Sequence, residues 1–60
     1  MSMSLYHEVL EAATLAMDLP PTAVIEFNEG DFEKAAQQSH RRLGMATPAT
    51  LNEMLAEFGF

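Results

Sequence analysis

The chain of 60 residues contains no cysteine, and its first 33 residues contain no lysine or arginine. Without cysteine, neither a disulfide nor a thiolate-bound metal can hold the fold together. A chain this short buries only about 60% of the surface that it exposes when unfolded, so its stability is marginal. Stability must therefore come from helix packing, from self-association or from a partner. The hydrophobic content of 48% argues against disorder, and we expect a single domain over residues 1–60.

The sequence also lacks a basic N-terminal segment and any long apolar run. A secretory signal needs both features, and a membrane span needs the second. An acidic surface is in addition repelled by anionic lipids. We therefore expect a cytoplasmic protein that makes no contact with a membrane.

Groups that perform covalent chemistry are equally scarce. There is no cysteine nucleophile and no glycine-rich phosphate loop, and the three serines Ser2, Ser4 and Ser39 lie in no recognisable catalytic setting. Paired carboxylates act as acid and base only in a cleft that separates their pKa values, and a few short helices hardly enclose one. We expect no enzymatic activity, no catalytic residue and no cofactor.

What the chain does have is negative charge, with a net value of -6. The cation-free segment holds seven of the nine carboxylates, namely Glu8, Glu11, Asp18, Glu26, Glu29, Asp31 and Glu33. All three cations follow within the next nine residues, as Lys34, Arg41 and Arg42. Like charges held close together on a compact body repel one another and lower its stability. A chain that keeps such a field is expected to use it on a basic partner.

The strongest helical pattern covers residues 4–18. At 100° per residue, one continuous half of this helix is apolar and the other half is polar. The apolar half comprises Leu5, Tyr6, Val9, Leu10, Ala12, Ala13, Ala16, Met17 and Leu19. Leu15 is the one large apolar residue on the polar half, where Thr14 also lies. Ser2 or Ser4 is a suitable N-cap, and the two prolines that begin at Pro20 end the helix.

Residues 22–29 are ambiguous. Ala23, Ile25 and Phe27 alternate with Val24, Glu26 and Asn28, which is typical of a strand. A strand needs a backbone partner, and residues 43–47 are the only other candidate. A helix would use the prolines in its first turn and Gly30 as its terminator. We favour the helix narrowly, with a short strand over residues 22–28 as the alternative.

Two further helices complete the prediction. Residues 31–43 have Asp31 as N-cap and Gly44 as terminator, with a narrow apolar stripe that includes Phe32, Ala35 and Ala36. The last helix begins at Thr47-Pro48 or at Thr50, which with Glu53 forms a capping box, and its inner face is Leu51, Met54, Leu55 and Phe58. The predicted fold class is all-α, a small bundle of three to four short helices.

The segment His7-Glu8-Val9-Leu10-Glu11 begins like a His-Glu-x-x-His zinc helix but ends in glutamate. His7 and Glu11 share one helix face and offer two metal ligands. A catalytic zinc needs three protein ligands, and the only other imidazole, His40, is far along the chain. We therefore predict no metal site.

The only basic cluster is His40-Arg41-Arg42. It ends one predicted helix that is followed by a turn and another helix, loosely like a helix-turn-helix. The second helix, however, carries Glu53 and Glu57 and no cation, so a phosphate backbone would repel it. We predict no direct contact with nucleic acid, and expect the arginines to cap their helix or to pair with acidic residues elsewhere.

The acidic array is the most informative feature. Glu8, Glu11 and Asp18 lie on one side of the first helix, and four more carboxylates crowd residues 26–33. Two such segments side by side would present carboxylates much as nucleic acid presents phosphates. The ordinary interpretation is a solvated face that keeps a small protein soluble.

In size and in the cation-free acidic stretch from Glu8 to Glu33, the chain resembles the small acidic inhibitors that phages use against host nucleic-acid machinery, anti-CRISPR proteins among them. The resemblance involves no sequence motif. It implies a stoichiometric binder that blocks nucleic acid or a partner subunit, and not a catalyst.

We therefore predict an acidic inhibitor that binds a nucleic-acid-handling protein at its basic groove, as a monomer or homodimer. The expected binding residues are the seven carboxylates, with apolar contact from Leu15 and Phe60. The Phe58-Gly59-Phe60 end is expected to be exposed. The alternative is a small helical interaction module, such as an oligomeric subunit or an antitoxin-like partner, held by Leu51, Leu55 and Phe58.

Overall fold

The computed structural model describes residues 2–60, and in this part of the chain the fold consists of three α-helices and no strand. Helix α1 spans Ser2–Leu15, α2 spans Glu29–Leu43 and α3 spans Pro48–Glu57. The predicted all-α fold class is confirmed. No helix in residues 2–60 combines the length and the apolar character that crossing a membrane requires.

Helix α1 begins two residues and ends three residues earlier in the chain than predicted. The predicted N-cap at Ser2 or Ser4 is wrong, because both residues lie inside the helix; the residue before Ser2 is outside the described part of the chain. The helix ends at Leu15 instead of residue 18, because the Met17 amide donates to the Thr14 carbonyl and so closes a tighter turn.

The buried face of α1 is rotated by about a quarter of a turn from the predicted one. The side chains that are buried are Tyr6, Leu10 and Thr14, whereas Leu5 is 41% exposed. Thr14 can be buried because its hydroxyl donates to the Leu10 carbonyl at 2.8 Å. The rotation matters for function, since it turns His7 towards α2.

Segment 22–28 is neither a helix nor a strand, so the narrowly favoured helix is wrong. The Val24 amide donates to the Pro21 carbonyl and the Phe27 amide to the Val24 carbonyl, which makes two successive turns. Val24 is buried in the core, and Ile25 is 45% exposed. Val24 and Phe27, which are three positions apart, both pack in the core. The alternating pattern that suggested a strand therefore does not mark the buried face.

Capping explains where α2 begins. The Asn28 side chain accepts from the Asp31 amide at 2.9 Å, and the Asp31 carboxylate accepts from the Asn28 amide at 3.1 Å. The predictions of Asp31 as N-cap and of Gly30 as a helix terminator are therefore wrong, because both residues lie in the first turn of α2. The predicted end is confirmed, since Gly44 has a φ of 82° and its amide donates to the His40 carbonyl.

Helix α3 follows the first of its two predicted starts. Thr47 is the N-cap and Pro48 the first helical residue, and Thr47 and Thr50 exchange side-chain and backbone hydrogen bonds in a capping box. The predicted Thr50–Glu53 capping box is wrong. The predicted inner face is confirmed, because Met54 is buried and Leu51, Leu55 and Phe58 are packed against the core.

One core joins the three helices and the connection between α1 and α2. Helix α1 packs mainly on α2 and less extensively on α3. Small side chains on α2 allow a close approach, and Tyr6 also donates its hydroxyl proton to the Gly44 carbonyl at 3.0 Å. The buried apolar residues are Tyr6, Leu10, Val24, Phe32, Ala35, Ala36 and Met54.

The two leucines of α1 provide a matched test of this packing. Leu10 is fully buried and Leu15 is 78% exposed. Truncating Leu10 to alanine leaves a cavity and is expected to lower the free energy of unfolding by about 2–5 kcal/mol. Leu15→Ala is expected to change it by no more than about 0.5 kcal/mol. Urea denaturation of both variants measures the difference, and equal losses would contradict the described orientation of α1.

Candidate functional site

The packing of α1 on α2 creates a cleft of about 280 Å³ between the two helices. We call it the acidic cleft. Four of its lining side chains are carboxylates and one is an imidazole, and the full lining is Met3, Ser4, His7, Glu8, Glu11, Glu29 and Glu33. Carboxylates that are separated by up to 25 positions in the sequence therefore meet at one place on the surface.

His7 is the centre of the cleft. Its Nδ1 atom lies 3.1 Å from Oε1 of Glu33 on α2, and its Nε2 atom lies 3.8 Å from Oε1 of Glu11 on its own helix. The ring also stacks on the buried ring of Phe32, with centroids 6.2 Å apart and an interplanar angle of 18°. The imidazole is therefore positioned by the core on one side and by a carboxylate on the other.

The contact between Glu33 and His7 determines which imidazole nitrogen carries the hydrogen. An ionised carboxylate can only accept a hydrogen bond. Nδ1 of His7 is therefore the donor to Glu33, and in the neutral ring Nε2 keeps its lone pair. That lone pair lies on the side of Glu11 and the open cleft.

Glu11 and Glu29 form a carboxyl pair across the two helices. A hydrogen bond with Glu29 raises the pKa of Glu11, and partial desolvation and the negative charge of Glu29 raise it further, while His7 acts in the opposite direction. Two carboxylates at hydrogen-bonding distance cannot both be ionised without repulsion. The cleft therefore favours a proton or another cation between them.

The remaining predicted site residues lie elsewhere. Asp18 and Glu26 are exposed in the connection between α1 and α2 and do not line the acidic cleft. Asp31 is engaged in the capping box of α2. Leu15 is exposed as predicted. The predicted exposure of the chain end is wrong, because Phe58 and Phe60 are partly buried against the core.

The cations do not neutralise the cleft. Arg42 forms an ion pair with Glu57 of α3, as expected for an arginine that pairs away from the acidic segment. Among residues 2–60, neither Lys34 nor Arg41 forms an ion pair with a carboxylate, and both are exposed. Within residues 2–60, the only cationic group that contacts the carboxylates of the acidic cleft is the His7 ring when it is protonated.

Sequence reasoning missed two parts of this site. It identified His7 and Glu11 as neighbours through their spacing of four, which is a reliable signal on a helix. It could not identify Glu29 or Glu33 as their partners across the interface, because that pairing depends on the rotation of α1 against α2. Met3 and Ser4, one turn before His7, were also detectable only from that rotation.

Comparison with models of known protein families, with curated proteins and with solved structures found no match to this chain. The geometry and charge of the acidic cleft are therefore the features from which a function can be proposed.

The carboxyl pair predicts an unusual pH dependence for Glu11→Gln. Because the pKa of Glu11 is higher in the folded state than in the unfolded state, folding favours its protonated form. That stabilising contribution is present at acid pH and is lost as the pH rises through the folded-state pKa. We therefore expect Glu11→Gln to melt above the wild type at neutral pH, and the difference to shrink below the ordinary glutamate range.

The matched control for this measurement is Glu53→Gln, which removes one exposed charge from α3 outside the cleft. Its melting temperature is expected to follow that of the wild type across the same pH range. A Glu11→Gln variant that is less stable than the wild type at neutral pH would contradict the described pair.

Proposed function

We propose that this protein is an acidic inhibitor that binds the basic groove of a nucleic-acid-handling protein and occupies it as a nucleic-acid mimic. The observation that carries the proposal is the convergence of Glu8, Glu11, Glu29 and Glu33 at one cleft, with no lysine or arginine paired to any of them within residues 2–60. The mode of action is stoichiometric blocking, as the resemblance to anti-CRISPR-type inhibitors implies.

The geometry supports a charged contact more than a catalytic one. Three of the four cleft carboxylates, those of Glu8, Glu29 and Glu33, are exposed. Water is therefore not excluded from the cleft, and exclusion of water is what strengthens electrostatic catalysis in an active site. Exposed carboxylates on adjacent helices are instead accessible to the lysine and arginine side chains that line a nucleic-acid groove.

The proposal narrows the binding surface relative to the sequence prediction. The cleft carboxylates form its centre, and Asp18 and Glu26 contribute only at longer range. Leu15 is available as an apolar contact because it is 78% exposed. Phe60 is less available, since it packs against the core.

The salt dependence of partner binding is the first test of the proposal, and charge reversal in the cleft is the second. The wild type, immobilised, is exposed at low salt to a nuclease-treated lysate of the cells in which the protein acts, and bound protein is eluted with rising salt. We expect the eluted protein to be a basic nucleic-acid-binding protein. In a separate assay, this protein should release bound, labelled nucleic acid when the free wild-type chain is added. Because exposed charges are screened beyond about 10 Å at 0.1 M salt, affinity should fall steeply as salt rises.

Glu8→Lys and Glu53→Lys are the matched variants for this assay. Both residues are exposed, each lies within a helix, and each substitution changes the net charge equally. Only Glu8 lines the acidic cleft. Glu8→Lys is expected to weaken displacement of nucleic acid by about tenfold or more, and Glu53→Lys is expected to have little effect. Equal behaviour of the two variants, or binding that is insensitive to salt, would contradict the proposal.

A second candidate, the helical interaction module, is supported by one observation. Leu15 and Leu19 are 78% and 77% exposed and lie four positions apart, at the end of α1 and just after it. The face expected to form a dimer is not available, because Leu51, Leu55 and Phe58 pack against the core of the same chain. A module would therefore associate through the end of α1 and the connection that follows it.

Light scattering distinguishes the two candidates. The inhibitor proposal predicts a monomer whose mass does not change in Leu15→Ser. A dimer that this substitution dissociates would favour the module, since it would show that the exposed leucine is an association surface.

A further inference from the structure

A zinc site needs three protein ligands, and the sequence alone offered only two. In the folded chain three candidate ligands meet, namely His7, Glu11 and Glu29. The spacing of His7 and Glu11 offered two metal ligands, and a third was missing. Helix packing supplies it, because the ligand atoms of His7, Glu11 and Glu29 all lie within 4.8 Å of one another. From this geometry we propose that these three residues bind a divalent transition-metal ion of the zinc type, with a fourth coordination position open to the cleft.

The distances fit such an ion after small side-chain movements. Zinc binds imidazole nitrogen and carboxylate oxygen at about 2.0–2.2 Å, so two ligand atoms of a tetrahedral site are about 3.4 Å apart. Nε2 of His7 and Oε1 of Glu11 are already 3.8 Å apart. The atoms of Glu29 lie up to 4.8 Å from those of the other two residues, so its carboxylate must move by up to about 1.4 Å, and as an exposed side chain it can do so.

The chemistry of the three groups is the second argument. Nε2 of His7 presents a lone pair, for the tautomeric reason given above, and both carboxylates present acceptor oxygens. Three acceptors thus converge, and no lysine or arginine pairs with any of them in the described part of the chain. A single cation can bind the lone pairs of all three groups at once. Zinc binds both histidine nitrogen and glutamate oxygen, and a zinc site with three protein ligands leaves its fourth position to water or substrate.

Glu33 supports the proposed site from outside. In metal sites the second nitrogen of a ligating histidine usually donates to a carboxylate, which orients the ring and raises its basicity as a ligand. Glu33 makes that contact with Nδ1 of His7 at 3.1 Å. Phe32 holds the other face of the ring by stacking. The imidazole is therefore oriented for Nε2 coordination by groups that do not themselves bind the ion.

The open position faces the rest of the cleft, which Ser4 and Glu8 line. A water molecule or a side chain from another molecule can occupy it. The metal proposal does not depend on the inhibitor proposal, because it needs no partner. The two proposals are linked in one respect. A bound divalent ion would neutralise two negative charges of the acidic cleft, which is the surface that we propose binds a basic groove.

Zinc titration of the purified chain tests the inference. Isothermal titration calorimetry with ZnCl₂ is expected to show one ion per chain. Proton–nitrogen correlation spectra of the histidine rings are expected to show coordination at Nε2 of His7, with Nδ1 still protonated. Absence of one-to-one binding, coordination through His40, or equally tight binding of Mg²⁺, which does not require the imidazole, would each overturn the proposal.

Two ligand variants, one variant of the supporting residue Glu33 and one control test the assignment of the ligands. His7→Gln and Glu29→Gln are each expected to weaken zinc binding by about tenfold or more, and Glu33→Ala by about 10- to 100-fold through loss of ring orientation. Glu53→Gln removes an equal charge from α3, and it is expected to bind zinc as the wild type does. If His7→Gln fails to fold by circular dichroism, Glu29→Gln and the wild-type imidazole spectrum still decide the question. Unchanged affinity in Glu29→Gln would overturn the assignment of the third ligand.

Discussion

The packing of α1 against α2 is the constraint on which the other features depend. Tyr6 and Leu10 of α1 share one core with Phe32 and Ala36 of α2, and all four are almost completely buried. Burial of a leucine or phenylalanine side chain contributes on the order of 1.5–3 kcal/mol. Because a chain of this length has little other apolar surface to bury, the core determines how α1 is rotated. That rotation in turn sets the positions of the charged side chains at the edge of the interface.

The acidic cleft is a consequence of that rotation. With Tyr6 and Leu10 pointing inwards, His7 and Glu11 lie at the border of α1 next to α2, where Glu29 and Glu33 are their neighbours. Repulsion among the carboxylates opposes this arrangement. The pKa of Glu11 is raised chiefly by its hydrogen bond with Glu29, and further by desolvation and by the negative charge of Glu29. A cation at this place relieves the repulsion, whether it is a proton, a metal ion or a basic side chain of a partner. The proposed nucleic-acid mimicry and the proposed metal site both depend on this one electrostatic property.

Local signals in the sequence located the end of α2 and the start of α3, but they did not reveal the turns of segment 22–28 or the buried face of α1. Gly44 ends α2 as predicted, and α3 begins at Thr47-Pro48, one of its two predicted starts, because glycine at positive φ and a capping threonine act within one turn. The start of α2 was misjudged because Asn28 and Asp31 are both good caps, and only the structure shows that Asn28 holds the cap position. The face of α1 was misjudged because a buried Thr14, bonded to its own helix, replaced the apolar residues counted on the opposite side.

The same limit applies to the candidate site. The crowding of carboxylates before residue 34 and the pair His7 and Glu11 were visible in the sequence, whereas the meeting of that pair with Glu29 and Glu33 required the interface. The most direct test is therefore nuclear Overhauser spectroscopy on the free chain. The account predicts contacts from the His7 ring to the side-chain protons of Phe32 and Glu33, and none from Leu5 to the same residues. Contacts from Leu5 to Phe32, with a His7 ring that contacts no residue of α2, would contradict it.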